Sequence, residues 1–391
     1  MDAREDRSTL EDRMRGNRGR KMNPGEVKVR PRYLDIVESL RSDISSGRFK
    51  AGGRLPSEAE LVRKFAVSRM TVVKAMRQLQ QEGLLTRRAG SGTYAANLVA
   101  DESMVFGLLI PDLGQTEIFE PICRGMVRSP LAAKHSLSWV QTLSTAEHAA
   151  EEAEQLCHRY IEQGVSGVFF APQEFAPPHH DVNGRILKEL DKADIPVILL
   201  DRCVLKYPER SNYDLIGLDN RRAGYVVTTH LIRQGAQRIA FLVREGSAET
   251  VEERISGYHK ALYDNNMSIS RDLLLRGDAA DKVFVERALQ TREIDAIMCA
   301  NDITAANLMQ TLLSLQVRIP DDVRIAGVDD VKYAKLLPIP LTTYQQPCAE
   351  IGAVSMSAMV ERVKNRQLPA RSILLNGTLV VRQSCGAKRV V

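Results

Sequence analysis

Arg69 is the residue best placed for recognition chemistry: it follows Val67-Ser68, precedes Met70-Thr71-Val72, and stands where a helix would begin. A guanidinium fork satisfies both acceptors that guanine shows in the major groove, with about 1–3 kcal/mol of discrimination. Arg54, Ser57, Ser68, Met70, Thr71, Lys74 and Arg88 share this region, and Gly90 and Gly92 follow. Hydroxyls and cations of this kind suit phosphate oxygens, and glycines let backbone approach a groove. A second group lies far downstream. Asp201 follows Ile198-Leu199-Leu200, Asn301 follows Met298-Cys299-Ala300, Asp329 follows Ala326-Gly327-Val328, and Arg254 falls in Glu253-Arg254-Ile255-Ser256-Gly257-Tyr258. Carboxylate, amide and guanidinium groups converging on a cleft are what a hydroxyl-rich ligand requires, because each hydroxyl both donates and accepts. An Asp at a strand end can equally be a helix cap, and that alternative stays open for each.

The elements that must position the first group are legible in apolar spacing. Tyr33, Ile36, Val37, Leu40 and Ile44 form one stripe of a helix from about 32 to 46, which Gly47 stops. Ser57 and Glu60 form a capping box for a second helix. Ser68 caps a third, packed through Val72, Ala75, Met76 and Leu79, with Arg69, Met70, Val73, Lys74 and Arg77 on its outer side. Leu84 to Arg88 and Thr93 to Ala96 then flank a glycine turn, which makes a wing.

Downstream of Met104, short apolar runs alternate with helical patterns. Val105 to Ile110, Leu137 to Leu143, Gly167 to Ala171, Pro196 to Leu200, Leu215 to Leu218, Arg238 to Val243, Ala296 to Cys299 and Val323 to Val328 read as strands, with helices expected from Pro121 and Thr145. Runs such as Val197-Ile198-Leu199-Leu200 are apolar throughout, as strands covered on both faces should be. Two similar halves are expected, each a parallel sheet, with ligands bound outside the carboxyl ends of the strands. Trp139 falls mid-strand and is expected in the core.

Composition bounds the rest. The chain has 391 residues, enough for more than one domain. Residues 1–97 carry 21 Lys+Arg against 12 Asp+Glu, a balance of +9; the totals of 54 and 49 leave 33 against 37, or −4, for the remainder. A basic module before an acidic body suits a phosphate-rich partner for the first. No run approaches the ~18 apolar residues needed to span a bilayer, so no membrane partner and a cytoplasmic address are expected. The six cysteines stand singly and the adjacent His179-His180 lack a third ligand nearby, so neither disulfide, metal nor cofactor is expected. No glycine-rich phosphate loop, G-x-S-x-G elbow or H-E-x-x-H motif is present, so catalytic residues are not expected either.

Residues 26–97 resemble the winged helix-turn-helix of the GntR regulators. That resemblance implies guanine contact by Arg69, phosphate or base contacts by Ser68 and Thr71, and minor-groove approach at Gly90 and Gly92. Family cation positions are Val73 and Ala59 here, with Lys74 or Arg63 available instead. Residues 104–385 resemble the effector domain of LacI-type regulators, related to periplasmic sugar-binding proteins, most specifically in the run from Ile319 to Asp330. The resemblance places ligand contacts on Phe119, Asp201, Arg254, Asn301, Asp329 and Gln346, with Phe119 stacking on a sugar ring. A second aromatic, common in that family, is missing over 277–280.

The implied architecture is α/β: an N-terminal winged helix-turn-helix plus a two-lobed periplasmic-binding-protein-like domain with parallel sheets. A disordered tail (1–25), a linker (98–103) and a C-terminal tail (386–391) complete it. The composite is similar to the arabinose-repressor class of bacterial regulators, without naming this chain's own sugar. It implies a homodimer on a palindromic double-stranded DNA operator, released by a small-molecule effector. A ligand-closed form that binds DNA, or an effector-independent binder, remains open.

Overall fold

The computed structural model describes residues 32–45, 48–49, 52–88, 91–95, 103–110, 117–140, 149–174 and 179–387. The expected tail (1–25), Gly47, Gly90 and most of the linker lie outside these residues.

The described residues begin with three helices: α1 (Arg32–Ser45), α2 (Glu58–Phe65) and α3 (Arg69–Gln81). They pack through Ile36, Val37, Leu40, Leu61, Val72, Ala75 and Leu79, the stripe read from spacing, into one small core. Strands β1 (Leu85–Arg88) and β2 (Gly92–Ala95) pair antiparallel as the wing.

The body follows as β3 (Val105–Leu109), α4 (Phe119–Arg128), β4 (Ser136–Ser138), α5 (Ala149–Glu162), β5 (Gly167–Phe170), α6 (His179–Lys192), β6 (Val197–Leu200) and β7 (Asp214–Leu218). The chain then crosses to α7 (Asn220–Arg233), β8 (Ile239–Val243), α8 (Glu249–Asp264), β9 (Leu274–Arg276), α9 (Lys282–Arg292), β10 (Ala296–Cys299), α10 (Asp302–Ser314), β11 (Arg324–Asp329) and β12 (Thr342–Gln345). It returns as α11 (Cys348–Lys364) and β13 (Ser372–Leu375), and crosses once more into β14 (Thr378–Val380).

Two six-stranded sheets result, ordered β13-β7-β6-β5-β3-β4 and β14-β12-β11-β10-β8-β9. The first is wholly parallel; in the second only β14 runs antiparallel. Within β6, Ile198 and Leu200 enter one core and Val197 and Leu199 the other, which is why that run is apolar throughout.

Two departures from the sequence reading have physical reasons. The lobes are not consecutive halves, because α11 packs into the first lobe's core and β13 extends its sheet after the second lobe has been built. Three crossovers, at 218–220, 345–348 and 375–378, therefore join the lobes. Second, β4 stops at Ser138, and Trp139 is 59% exposed instead of buried. Because β4 is the edge strand of its sheet, no described strand lies on its outer side to cover the next side chain. The helix expected from Thr145 is described from Ala149 onward; its expected first residues lie in 141–148, outside the described residues.

Candidate functional site

The reading face is built from its caps upward. Glu60 N–H donates to Ser57 Oγ at 3.3 Å, and the Glu60 carboxylate accepts from Ser57 N–H at 2.7 Å. That backbone donor, with the Ser57 hydroxyl, holds the Glu60 carboxyl below the usual carboxylate range. Ser68 accepts from Thr71 N–H at 3.2 Å, and the two hydroxyls lie 2.8 Å apart. Both α2 and α3 thus start at fixed points, and α3 presents Arg69 and Met70, 81% and 76% exposed, on its first turn.

Sequence reasoning missed what holds Arg69. Its Nε lies 3.3 Å from Glu58 Oε2, while Arg87 Nη2 donates to Glu58 Oε1 at 2.5 Å. One carboxylate on α2 therefore gathers a cation from α3 and another from the wing, a tertiary pairing that no local spacing announces. Arg54 pairs its backbone with Tyr94, and its guanidinium lies over Gly92, where φ is +125° and an added Cβ would stand 3.1 Å from Arg54 Nε. Gly92 is thus required by Arg54 and by its own backbone. Lys74 leans toward α1, with Nζ 4.1 Å from the Tyr33 ring centroid. Arg88 closes β1; Gly90 lies outside the described residues.

The second site forms at the carboxyl ends of strands. Asp201 follows β6 with φ +67°, Asp329 ends β11 with φ +123°, and Asp330 follows with φ +55°. Three non-glycine residues with positive φ, one after a strand of the first sheet and two at the end of a strand of the second, carry backbone strain of the kind stored at functional sites. Asp201 and Gln346 are about one-twentieth exposed, yet Asp201 Oδ1 and Gln346 Oε1 have no hydrogen-bond partner among the described residues. Buried acceptors left unpaired cost about 1–3 kcal/mol each, so a ligand donor is favoured there.

Asp329 Oδ1 accepts from Gln346 Nε2 at 2.7 Å and stands 3.6 Å from Arg254 Nη2. Arg254 is buried; its Nε donates to Asn220 Oδ1 at 2.8 Å and its Nη1 to the Ala300 carbonyl at 2.6 Å. Behind them Asp302 accepts from Thr343 Oγ1 at 2.6 Å and Val331 N–H at 3.0 Å. Burial raises the pKa of both carboxyls: the neighbouring Asp329 charge pushes Asp302 further up, whereas Arg254 and Gln346 oppose the rise at Asp329.

Asn301 uses its Oδ1 to cap α10, accepting from Thr304 N–H at 2.9 Å. Phe119 opens α4 but lies in the first lobe's core, with the Arg202 guanidinium carbon 5.9 Å from its ring centroid. A sugar reaches that ring face only if Arg202 moves. A ring is supplied near the segment that lacks one: Phe284 of α9 packs against Gly277, where a Cβ would meet it at 2.7 Å. Asn220, Arg202 and Asp302 are the cleft residues whose roles spacing did not reveal; they become visible only when separate strand ends meet. A cavity of about 1050 Å³ runs from Asp329 and Gln346 past Gly125 and Arg128 to Arg41, Gln78 and Glu82 of the reading domain. Among the described residues no group of three His, Cys, Asp or Glu could hold a metal, and no helix is long and apolar enough to cross a membrane.

Comparison with known proteins joins these two sites to two families. Residues 32–95 match the model of bacterial regulatory proteins of the gntR family, and residues 228–385 that of a periplasmic binding protein-like domain. The arabinose metabolism transcriptional repressor of Geobacillus stearothermophilus is 26% identical over 91% of this chain and 98% of its own length. The ribose operon repressor of Halalkalibacterium halodurans is 25% identical over 81% and 94% respectively. Among solved structures, the transcription regulator CcpA of Lactococcus lactis superposes with a TM-score of 0.61 at 19% identity, covering 72% of this chain and 99% of that one. The CelR–cellobiose complex superposes with a TM-score of 0.61 at 21% identity, over 90% and 99%. The chain joins a gntR-family winged helix-turn-helix, over residues 32–95, to a periplasmic-binding-protein-like domain, over residues 228–385, the composition of a DNA-binding transcription regulator.

Proposed function

We propose that the protein is a homodimeric, cytoplasmic repressor of carbohydrate-use genes whose operator is released when a sugar fills the cleft. The observation that carries this reading is the separation of two prepared sites. An open, Arg69-headed helix lies on one domain; two buried, unpaired acceptors, Asp201 Oδ1 and Gln346 Oε1, lie between the lobes of the other. Relatives named for arabinose and ribose support a sugar as the donor-rich ligand. Two-fold symmetry of the dimer would be mirrored in a palindromic operator, one α3 per half-site.

Coupling has a material route. Helix α11 starts two residues after Gln346 and carries Ser357 into contact with Gly83, at the turn that ends α3. Ligand that favours a closed cleft would shift the lobes, and with them α11, beneath the reader. Turning DNA competence from 99% to 1% takes about 5.5 kcal/mol of differential binding, which two sites per dimer can supply.

The test has two arms. Selection from random double-stranded DNA should give a palindrome with wild-type protein and lose it with Arg69→Ala, at about 10- to 100-fold weaker binding. A screen of mono- and disaccharides should find one that raises the melting temperature and releases that palindrome. An Arg69→Ala variant that selects the same palindrome at equal affinity removes the reader assignment; no stabilising sugar removes the sensor assignment.

A further inference from the structure

Four side chains form a continuous line between two crossovers. Asn220, the first residue of α7, donates from Nδ2 to the carbonyl of Leu218 at 3.2 Å, and its Oδ1 accepts from Arg254 Nε. Arg254 reaches Asp329 at 3.6 Å, and Asp329 accepts from Gln346 in the second crossover. Asn220 is 6% exposed, and both its amide nitrogen and its amide oxygen already have partners within the protein.

The backbone beneath this line leaves little play. A Cβ at Gly224, one turn after Asn220, would overlap the carbonyl oxygen of Arg254; a Cβ at Gly257 would overlap that of Arg221. Helices α7 and α8 therefore touch backbone to backbone, closer than the ~8–10 Å axis spacing set by ordinary side chains. Arg254 is thus placed from two directions, by the glycine crossing below and by the Asn220 amide at its guanidinium. The line ends at Gln346, whose Oε1 is one of the two unpaired acceptors in the cleft. A donor placed there touches the last member of a chain whose first member sits in the other crossover.

We infer that Asn220 is a positioning residue: it sets Arg254 and, through Arg254, Asp329 and Gln346, ties the first crossover to the second, so that filling the cleft is registered at the hinge. The hinge consequence rests on the sensor reading above; the tie itself does not, and the test separates them. Hydrogen–deuterium exchange is followed in the ligand-free, full-length protein at 218–224 and 345–352, in wild type, Asn220→Ala, Asn220→Asp and Gln346→Ala. Asn220→Ala is expected to speed exchange roughly fivefold at both segments, the equivalent of about 1 kcal/mol for one buried hydrogen bond. Asn220→Asp keeps an acceptor for Arg254 and is expected to hold the second crossover at the wild-type rate. Gln346→Ala, at the opposite end, should speed the first crossover in return. Exchange that rises in Asn220→Ala only around 218–224, a failure of Asn220→Asp to rescue, or an unchanged first crossover in Gln346→Ala would overturn the inference. If the tie holds while no sugar stabilises the protein, the sensor reading fails and the tie stands.

Discussion

Asp214 and Asp329 are both carboxylates at strand ends, the first fully buried and the second 14% exposed at its side chain, and the structure treats them in opposite ways. Asp214 begins β7 and is fully buried; its oxygens accept from Arg362 Nε and Nη2 at 3.2 and 2.8 Å and from Arg371 N–H, Nε and Nη2 at 2.7, 3.3 and 3.0 Å. Burial alone would raise its pKa, yet the two arginines outweigh it and hold the carboxyl below its ordinary value. Asp329 ends β11 at positive φ, has one guanidinium at 3.6 Å, and is pushed up by burial. Saturation marks Asp214 as a clamp that fastens α11 and β13 to β7. Under-pairing at Asp329, beside the unpaired Asp201 Oδ1, marks a place where a partner is still to come.

The largest expected effect tests the saturated end. Arg362→Met leaves Asp214 buried with Arg371 alone and frees the carbonyl of Pro369, which Arg362 Nη2 holds at 3.0 Å. Removing one partner of a buried pair costs about 3–5 kcal/mol, so denaturant unfolding should show a loss of that order. Selected-palindrome binding at low temperature should survive, because the reading domain has its own core. A loss under about 1 kcal/mol would place Asp214 with the exposed ion pairs and dissolve the contrast.

A pH series sharpens it, because the two carboxylates carry opposite signs. Asp214, lowered in the fold, contributes stability that is present above its unfolded pKa of about 4 and is lost as pH falls through the folded value. Asp329, raised in the fold, binds its proton more tightly than the unfolded chain does. Its ionisation therefore removes stability as pH rises from about 4, until pH passes the raised folded value. Asp329→Asn abolishes that penalty, so its stability relative to wild type should climb with pH across this window, by on the order of 1–2 kcal/mol. A difference that stays flat with pH, or falls, would show that Asp329 is as well paired as Asp214.

The contrast also explains what the sequence could tell. Asp201, Asn301 and Asp329 were visible because each ends an apolar run, and parallel sheets bring such ends together. The capping box of Ser57 and Glu60 and the buried stripe of α3 were visible because their partners lie three or four residues away. Asn220 and Arg362 were not: Asn220 pairs 34 residues downstream, from one helix to the next, and Arg362 pairs 148 residues upstream, across two crossovers, distances that no period encodes. The return of α11 and β13 to the first lobe was hidden for the same reason. Trp139 misled because its local pattern continues a strand that the sheet edge ends.

The smallest effect is expected where pairing is exposed, at Glu58. This carboxylate gathers Arg69 and Arg87, but the two arginines are 81% and 60% exposed at their side chains, so Glu58→Gln should cost less than about 1 kcal/mol of stability. Its consequence lies in DNA binding. As long as Glu58 holds both cations, each must leave it before meeting a base or a phosphate, and its own charge faces the phosphates. Glu58→Gln should therefore tighten operator binding a few-fold, and an Arg87 freed for one phosphate would steepen the log–log salt slope by about 0.9. Weaker binding would mean that Glu58 aligns Arg69 for its base, in which case the pair is a saturated support like Asp214, only wet. Unchanged affinity with an unchanged slope would mean that neither arginine is restrained by it, and that an exposed pair in this domain stores nothing for the DNA to release.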